Sequence, residues 1–514
     1  MGFMGMFGGD KVKKHTKKIT SKKTMKTSSP PRDARSTRKY GKVRVPPVGR
    51  TPSRKTKNKS IASLAKVAAV ATKAITTKST TMKTVTAKPN ADISLEHLTK
   101  IEGHASLHLK IEHGKIIELA LFSEEGARFF EGLVIGRNYD DTVEMTSRIC
   151  GICSTAHITA ALRALEEAIS AHPSKQTQLI REFMAIGERI RSHATHLYFL
   201  ALPDYLGFES ALEMAPKHKN EVVDALALMK LGNTIIETFG GRQIHPVGAV
   251  IGGATLTPKP EHLAILKPML AEGKKQAERT LALFAKLPYP HFERKTEYFC
   301  LRPERDWPLL TGDIVGSDGK SFKDDAYQTY FSEYMTPRGT SKFVVKQGKS
   351  FRVGALARIN LGAKRIPAKI VAMLKRNKIS FPSHNPFHTN VAQAIELLFW
   401  IERAEQILAC TEFTEQKEPF KVVSVAGRGI GAVEAPRGVL YHDYVVDKDG
   451  YVRKANIITP TVQNLKAMED DIRAFVPQLL SLPKEKIALE IEKLIRAYDP
   501  CFSCSTHFVT VEKD

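Results

Sequence analysis

Apolar residues recur with helical spacing over much of the chain. Residues three or four positions apart lie on one face of an α-helix, so this spacing predicts amphipathic helices. The clearest segment is Ser154–Ala171, which ends before Pro173; its apolar positions are Ile158, Ala161, Leu162, Leu165 and Ile169. The same spacing predicts further long helices at Thr177–Leu202, Lys219–Phe239, Pro260–Leu287, Asn390–Cys410 and Lys484–Tyr498.

Shorter segments alternate apolar and polar residues, which is the spacing of a β-strand. Two of them, Glu96–Ile111 and Gly114–Leu121, predict a hairpin. Strands and turns are also predicted at Val422–Tyr444 and Tyr451–Ile458, and residues 290–360 are irregular with short strands. Helices outweigh strands, and no segment repeats. We therefore expect a helix-dominated α+β fold, a long helix bundle with small peripheral sheets.

The basic charge is concentrated in the first 90 residues. They contain 24 lysines and arginines against two acidic residues, so they carry +22 of the total charge of +24 and leave +2 for the rest. A segment so rich in Lys, Thr, Ser and Pro buries too little apolar surface to offset the entropy of ordering. We expect residues 1–90 to be a disordered basic extension. Its role is open between a solubilising extension, a tether to nucleic acid or acidic surfaces, and a transit-like peptide.

Several features favour a cytoplasmic protein with a globular body over residues 91–507. No apolar run reaches the roughly 18 residues that a membrane span needs. At the N-terminus the apolar residues precede the basic ones, which is the reverse of a secretory signal peptide. Four of the six cysteines form two tight pairs, a pattern typical of metal or redox sites rather than of a secreted disulfide framework.

The two cysteine pairs lie 351 residues apart and have the same internal spacing. The first pair is Cys150 and Cys153, the second is Cys501 and Cys504, and a histidine follows each pair within four residues. Two thiols three residues apart can reach one soft metal, so the pairs together predict one four-thiolate site. The thiolates alone fit structural zinc, an iron–sulfur cluster or nickel.

The position of the pairs argues against a purely structural metal. A zinc ribbon closes within tens of residues, whereas these pairs join opposite ends of the predicted globular body. Cys153 and His157 are four residues apart, so the imidazole would contact the metal-bound sulfur on one helix face. The remaining cysteines, Cys300 and Cys410, are most simply buried small apolar residues.

Motifs around and between the cysteine pairs follow one another in a fixed order. They are Lys100-Ile101-Glu102-Gly103-His104, Arg128-Phe129-Phe130-Glu131, Arg148-x-Cys150-Gly151-x-Cys153-x-x-x-His157, Gly240-Gly241-Arg242-Gln243-Ile244-His245-Pro246, Glu434-Ala435-Pro436-Arg437-Gly438 and Asp499-Pro500-Cys501-x-x-Cys504-x-x-His507. In this order they resemble the large, catalytic subunit of nickel–iron hydrogenases, over about residues 93–507. The segments 196–205 and 496–500 look most like the cytoplasmic, nucleotide-linked sulfhydrogenase group.

The resemblance implies a nickel–iron centre whose iron carries carbon monoxide and cyanide. Cys150 and Cys501 would be terminal nickel ligands, and Cys153 and Cys504 would bridge nickel to iron. His157 would contact the centre through a bridging sulfur.

The resemblance also implies roles for residues around the centre. Arg437 would lie over the open metal position, with Pro436 and Thr461 contacting the cyanides. Glu102 would carry protons from the thiolate of Cys501 toward the surface.

A second metal site is implied deeper in the body. Glu131, His507 and the backbone carbonyl of Ile457 would hold a magnesium or iron ion. Oxygen ligands suit magnesium, and one imidazole is tolerable in such a site.

The function implied is reversible heterolytic cleavage of dihydrogen into protons and electrons. The electrons would pass to a small iron–sulfur subunit, and from there to NAD(P) through flavin-binding and further iron–sulfur subunits. A ferredoxin-coupled membrane-associated or bifurcating hydrogenase, and a non-catalytic dihydrogen sensor, are the alternatives. Residues 508–514 would be removed by a maturation protease.

Some of these residues also have simpler explanations. Glu102 could be a surface carboxylate at a strand end, and Asp499 could serve only to end a helix before Pro500. The glycine-rich segment 427–431 looks like a phosphate-binding loop, but no amphipathic helix follows it, so this signal is weak.

Overall fold

The computed structural model describes residues 90–302, 307, 309–336, 339–415 and 426–506. The predicted basic extension, the predicted ligand His507 and the C-terminal peptide 508–514 lie outside these residues.

Helices dominate the described part of the chain, as the apolar spacing predicted. The six long helices begin within two residues of their predicted starts. The predicted segment Thr177–Leu202 continues from α4 through a π-helical stretch at His196–Ala201 into α5. Cys410, predicted to be buried, is exposed at the end of its helix, whereas Cys300 is buried. The helices are α1 Phe130–Val134, α2 Tyr139–Ser147, α3 Ser154–Ala168, α4 Lys175–Thr195, α5 Leu202–Leu206, α6 Ala211–Met214, α7 Lys219–Gly240, α8 Pro260–Phe284, α9 Tyr327–Tyr330, α10 Ala355–Leu361, α11 Ala368–Arg376, α12 Thr389–Cys410, α13 Pro460–Phe475 and α14 Lys484–Ala497.

The strands form small sheets between and beside the helices. They are β1 Ala91–Leu95, β2 Ala105–Glu112, β3 Lys115–Ser123, β4 Ala249–Val250, β5 Gly253–Ala254, β6 Glu297–Arg302, β7 Asp313–Gly316, β8 Ser321–Phe322, β9 Ser332–Met335, β10 Lys342–Val345, β11 Phe351–Arg352, β12 Gly427–Ala435, β13 Gly438–Val446 and β14 Val452–Ile458. The larger sheets have the orders β1-β2-β3, β11-β6-β7-β8 and β12-β13-β14. The helix-dominated α+β fold is thus confirmed, and the β12-β13-β14 sheet is deeply buried.

Strand β12 lies directly against helix α3. A Cβ at Gly429 would overlap the carbonyl oxygen of Ala164, and one at Gly431 would overlap that of Ala160. Two residues of a strand span about the same length as four residues of a helix. Glycines two residues apart on β12 therefore lie against alanines four residues apart on α3. The glycine-rich segment is therefore a packing surface that fixes α3, not a phosphate-binding loop.

The main hydrophobic core lies among α3, α4, α7, α8 and α12. A second core joins the β1-β2-β3 sheet to α13 and α14. Within the described residues, no helix is long and apolar enough to cross a membrane.

Candidate metal centre

The four cysteines of the two pairs meet in one buried cluster. Their sulfur atoms all lie within 4.8 Å of one another. The sulfur of Cys150 is 3.6 Å from that of Cys501, and the sulfur of Cys153 is 3.4 Å from that of Cys504. Four buried thiols at these distances fit a soft transition metal or a pair of metals. Each contact joins one cysteine of the first motif to one of the second.

The two cysteine loops reach the cluster from opposite ends of the described chain. Cys150 and Cys153 occupy the turn between α2 and α3, so the rigid α3 positions the first pair. The second pair follows α14 and is aligned with the segment at Glu102, whose carbonyl oxygen accepts from the N–H of Phe502 at 2.9 Å. The site is therefore closed by contacts between distant segments.

Two arginines bind the backbone carbonyls of the cysteine loops. Arg128 donates to the carbonyl oxygen of Ile149 at 2.6 Å and to that of Ser503 at 3.4 Å, so one guanidinium joins both loops. Arg191 of α4 donates to the carbonyl oxygen of Ile152 at 2.7 Å. A guanidinium offers several donors in a rigid plane, which suits the binding of several carbonyls at once.

Helix α3 receives its N-terminal cap from a neighbouring helix. The carboxylate of Glu188 in α4 accepts from the N–H of Thr155 at 2.6 Å and from that of Ala156 at 3.1 Å. The first N–H groups of a helix have no partner within it, and a carboxylate there also meets the positive end of the helix dipole. Burial raises the pKa of Glu188 to about 7.

The sequence alone did not identify Glu188 or Arg191 as parts of the site, because neither lies in a recognisable motif. Arg128 lies in one of the ordered motifs, but the motif assigned it no role. These residues act on cysteine loops that lie far from some of them in sequence, so no local pattern could reveal their partners.

The thiols of the cluster influence one another's ionisation. Hydrogen bonds from Cys153, Cys501 and Cys504 lower the pKa of Cys150. Burial raises the pKa values of Cys501 and Cys504 well above their ordinary value, and the hydrogen bonds with Cys150 and Cys153 raise them further. A bound cation favours the thiolate form of its cysteine ligands, so metal binding would oppose these shifts.

Glu102 lies against Cys501, as the resemblance implied, and not on the surface. Its Oε2 atom is 2.8 Å from the sulfur of Cys501 and accepts from the N–H of Ser503 at 3.3 Å. Burial raises the pKa of Glu102, and a thiolate at Cys150 raises it further, whereas the bond to Cys501 and the charge of Arg437 lower it; the net shift is upward. A carboxyl with a raised pKa is a better proton acceptor than an ordinary one, which suits the transfer of a proton from a neighbouring thiol.

Arg437 is buried and fixed by Asp499. Its Nε donates to the carbonyl oxygen of Asp499 at 2.7 Å, and its Nη2 donates to the carboxylate at 3.0 Å. Asp499 has a φ of 50°, in the left-handed region that asparagine and aspartate tolerate better than most residues. Asp499 therefore orients Arg437 as well as following the end of α14. Among the described residues, Nη1 of Arg437 has no hydrogen-bond partner.

A buried ionic network supports the segment that carries Arg437. Arg358 of α10 donates to the carboxylate of Glu396 at 2.8 Å, to that of Glu434 at 2.6 Å and to the carbonyl oxygen of Pro436 at 2.9 Å. Burial opposes the charge on Glu396, but the Arg358 guanidinium lowers its pKa below the ordinary range. The network holds the backbone just before Arg437.

Thr461, at the start of α13, supports the second cysteine loop. Its hydroxyl oxygen accepts from the N–H of Cys501 at 3.0 Å. Thr461 and Pro436 are the two residues predicted to contact cyanides. Thr461 binds the backbone N–H of Cys501, and the backbone carbonyl of Pro436 is bound by Arg358.

His157 contacts the other half of the cluster. Its Nε2 lies 3.9 Å from the sulfur of Cys504, and its Nδ1 lies 3.1 Å from Nε2 of His442. Burial lowers the pKa of His157 to about 4, so the imidazole is neutral near pH 7.

Glu131 lies in a separate acidic and polar cluster. It accepts from the N–H of Ile457 at 2.5 Å, and Lys342 contacts both Glu131 and Glu333. Glu131 and Glu333 offer carboxylate oxygens, the ligand type that magnesium prefers, although burial raises the pKa of Glu131 to about 8, so a bound cation would have to ionise it. Of the three predicted ligands, His507 lies outside the described residues, and the contact of Ile457 in this structure is made by its N–H.

Comparisons with known proteins agree with this arrangement. The family described as nickel-dependent hydrogenase matches residues 128–233 and 347–507. The chain is 36% identical over 420 residues to the alpha subunit of sulfhydrogenase 1 from Pyrococcus furiosus, with 81% of this chain and 98% of that protein covered. It is 34% identical over 422 residues to the alpha subunit of sulfhydrogenase 2 from the same organism, with 81% of this chain and 99% of that protein covered.

Solved structures of hydrogenases share the fold. An NAD+-reducing [NiFe]-hydrogenase aligns with a TM-score of 0.71 and 25% identity, covering 81% of this chain and 99% of that one. The Ni-Fe-Se hydrogenase from D. vulgaris Hildenborough aligns with a TM-score of 0.69 and 22% identity, covering 82% of this chain and 100% of that one. The four buried cysteines are positioned to bind the nickel–iron centre, and the predicted resemblance is confirmed. The chain belongs to the nickel-dependent hydrogenase family, as a large, catalytic subunit.

Proposed function

We propose that Cys501 and Glu102 carry out the first proton transfer of dihydrogen cleavage. When bound, the nickel–iron centre supplies the redox chemistry that separates dihydrogen into two protons and two electrons. The sulfur of Cys501 lies 2.8 Å from Oε2 of Glu102, so a proton on the sulfur can pass to the carboxylate without rearrangement. This contact is the observation that carries the proposal, since it joins a metal-ligand candidate to a buried carboxyl.

The cysteines divide into two kinds in this proposal. Cys150 and Cys501 would hold nickel as terminal ligands, and Cys153 and Cys504 would be shared between nickel and iron. The neighbours of the second pair support this division: a proton-accepting carboxyl faces Cys501, whereas a neutral imidazole, that of His157, faces Cys504.

Arg437 acts as a fixed cation beside the open side of the centre. Burial opposes its charge, yet Asp499 and the cysteine thiolates raise its pKa well above the ordinary value, so it stays protonated. Asp499 binds Nε and Nη2 and leaves Nη1 to polarise a small ligand. Pro436, which precedes Arg437, and Thr461, which accepts from the N–H of Cys501, would contact the cyanides.

Glu131, Ile457 and His507 hold a magnesium or iron ion in the same proposal. The acidic surplus around Lys342 supports a cation there. Metal analysis of a Glu131→Gln variant should find less magnesium with unchanged nickel, and an unchanged magnesium content would contradict the assignment.

Electrons leave through a small iron–sulfur subunit that docks beside Cys150. Gly151 is exposed and lies next to Ile244, which is 51% exposed; the exposed Val247 and Leu256 lie next to Gly241, three residues before Ile244. An exposed apolar patch at the metal-ligand loop fits a stable subunit interface. The likeness to an NAD+-reducing [NiFe]-hydrogenase supports NAD(P) as the final acceptor.

Glu102→Gln tests the proton transfer. The amide cannot accept the proton, so exchange between dihydrogen and deuterated water should fall by at least about a hundredfold, within the range of general acid–base catalysis. Nickel content and the infrared bands of carbon monoxide and cyanide should stay unchanged. Glu124→Gln is the matched control, because Glu124 is exposed and its carboxylate accepts only from the hydroxyl of Ser106 among the contacts described. Full exchange in Glu102→Gln would refute the assignment.

The electron acceptor and the C-terminal cleavage have separate tests. Purified complex should reduce NAD+ or NADP+ with dihydrogen; reduction of ferredoxin alone would favour the alternative coupling. Mass spectrometry of active protein should find a C-terminus at His507, and an intact 508–514 peptide in fully active enzyme would contradict removal by a protease.

A further inference from the structure

A buried chain of hydrogen-bonding groups leads away from Cys504. Nε2 of His157 faces its sulfur at 3.9 Å, and Nδ1 of His157 is 3.1 Å from Nε2 of His442. Nδ1 of His442 is 2.6 Å from the hydroxyl of Tyr444, which is also hydrogen-bonded to Thr146. His157, His442 and Tyr444 are at most 1% exposed, so bulk water does not compete for these contacts.

The protons of this chain can be arranged in one of two directions. A neutral imidazole has one N–H donor and one acceptor nitrogen, so the choice at one ring fixes the choice at the next. If Tyr444 donates to His442, then His442 donates to His157, and the Nε2–H of His157 points at the sulfur of Cys504. In the opposite arrangement, a lone pair of His157 faces the sulfur. A metal-bound cysteine is a thiolate and accepts hydrogen bonds, so it favours the first arrangement.

Thr146, at the far end of the chain, permits either direction. Its hydroxyl also lies 2.9 Å from the carbonyl oxygen of Thr142, so it can donate to that oxygen or to Tyr444. Thr146 therefore does not oppose the arrangement in which Tyr444 donates to His442 and His442 donates to His157.

We propose that His442 and Tyr444 are positioning residues that fix the tautomer of His157, so that its Nε2–H is directed at the sulfur of Cys504. This inference rests on the proposed function, in which Cys504 is a bridging thiolate. Hydrogen bonds from partners of a ligand tune its basicity, and donors to metal-bound sulfur raise the reduction potential of the centre. His442 and Tyr444, which contact neither the sulfur nor the substrate, thus adjust the electron density on the sulfur of Cys504.

Strand β13 supplies both residues and a matched control. Tyr444 and His442 stand two residues apart, so their side chains share one face of the strand. Tyr441 is buried on the same strand, and its hydroxyl has no hydrogen-bond partner among the described residues. Tyr444→Phe removes a hydroxyl that is hydrogen-bonded to His442, whereas Tyr441→Phe removes a hydroxyl that lies outside this series of hydrogen bonds.

The test is infrared spectroscopy of the nickel-loaded complex, poised in one redox state. With the donor to His442 removed, the sulfur becomes more electron-rich, and the carbon monoxide band of Tyr444→Phe should shift to lower wavenumber. His442→Leu should shift the band in the same direction. His442→Gln should keep the wild-type position, because its amide N–H can replace the Nε2–H of His442. Tyr441→Phe should also match wild type.

Unshifted bands in both Tyr444→Phe and His442→Leu would overturn the inference. An equal shift in His442→Gln and His442→Leu would also overturn it, since volume rather than hydrogen bonding would then be the cause. Failure of the proposed function itself would look different: wild-type complex would contain no stoichiometric nickel and no carbon monoxide or cyanide bands. Nickel content of each variant, measured on the same samples, keeps the two outcomes apart.

Discussion

Replacing Arg358 with methionine should destabilise the protein far more than the loss of an exposed ion pair. The Arg358 guanidinium is 1% exposed and contacts the carboxylates of Glu396 and Glu434. Methionine fills a similar volume but leaves both buried carboxylates without this cation. The consequence is therefore mainly electrostatic, not the creation of a cavity.

The magnitude follows from what remains around the two carboxylates. Glu396 keeps a contact with His193 at 2.7 Å, and Glu434 keeps the N–H of Leu301 at 2.8 Å. Removing one partner of a buried ion pair costs about 3–5 kcal/mol, and the bonds that remain favour the lower half of this range. For a body of more than 400 residues, about 4 kcal/mol corresponds to a decrease in melting temperature of about 5 °C.

The assay is thermal unfolding of the full-length chain in its complex, compared at one scan rate. Arg453→Met is the matched control, because the Arg453 side chain is 57% exposed and pairs with Asp447 at the surface. Exposed pairs contribute about 0–1 kcal/mol, so the control should melt within about 1 °C of wild type. If Arg358→Met melts as late as Arg453→Met, the buried network does not stabilise the fold.

Three further changes test how the cysteine loops are supported. Glu188→Gln should flatten the pH dependence of the melting temperature: the pKa of Glu188 is raised from 4.5 to about 7 in the folded protein. The folded chain therefore holds a proton that the unfolded chain releases between pH 4.5 and 7. The free energy of unfolding of the wild type should fall over this range by up to about 3 kcal/mol. Parallel curves of melting temperature against pH for wild type and variant would contradict this. Gly429→Ala should lower the melting temperature by several degrees, because its Cβ would overlap helix α3, whereas Gly132→Ala, with open space around its Cβ, should not; equal melting would refute the close packing. Arg128→Met should reduce the nickel content measured in purified complex, since one guanidinium joins both loops, and the exposed Arg137→Met should retain it; full nickel in both would show that the link is dispensable.

The long helices could be predicted because each buries one continuous apolar face. Helix α3 begins at the predicted residue, Ser154, and ends at Ala168, three residues before the predicted end. Helix α13 was not predicted, although Pro460 at its start and the spacing of Leu465, Met468 and Ile472 carried the signal. The segment follows a predicted strand directly, without a glycine or polar loop to separate the two.

The resemblance implied the contact of Glu102 with Cys501, but other contacts between distant segments of the site were beyond sequence reasoning. The spacing of Cys150 and Cys153 predicts a pair of metal ligands, because both thiols lie within one turn of the chain. The cap of Glu188 on α3 and the link of Arg358 to Pro436 depend on the packing of separate elements. The role of a buried charged residue depends on which residue it contacts, and a single sequence does not show which distant residues are in contact.

The separation of the two cysteine pairs has a consequence for the order of events during synthesis. Cys153 leaves the ribosome 351 residues before Cys504. At about 5–20 residues per second, this interval lasts roughly 20–70 s. During that time the first pair offers two thiols to any soft cation in the cell, without the second pair to complete the cluster. The complete four-thiol site can therefore form only after the second pair has been synthesised.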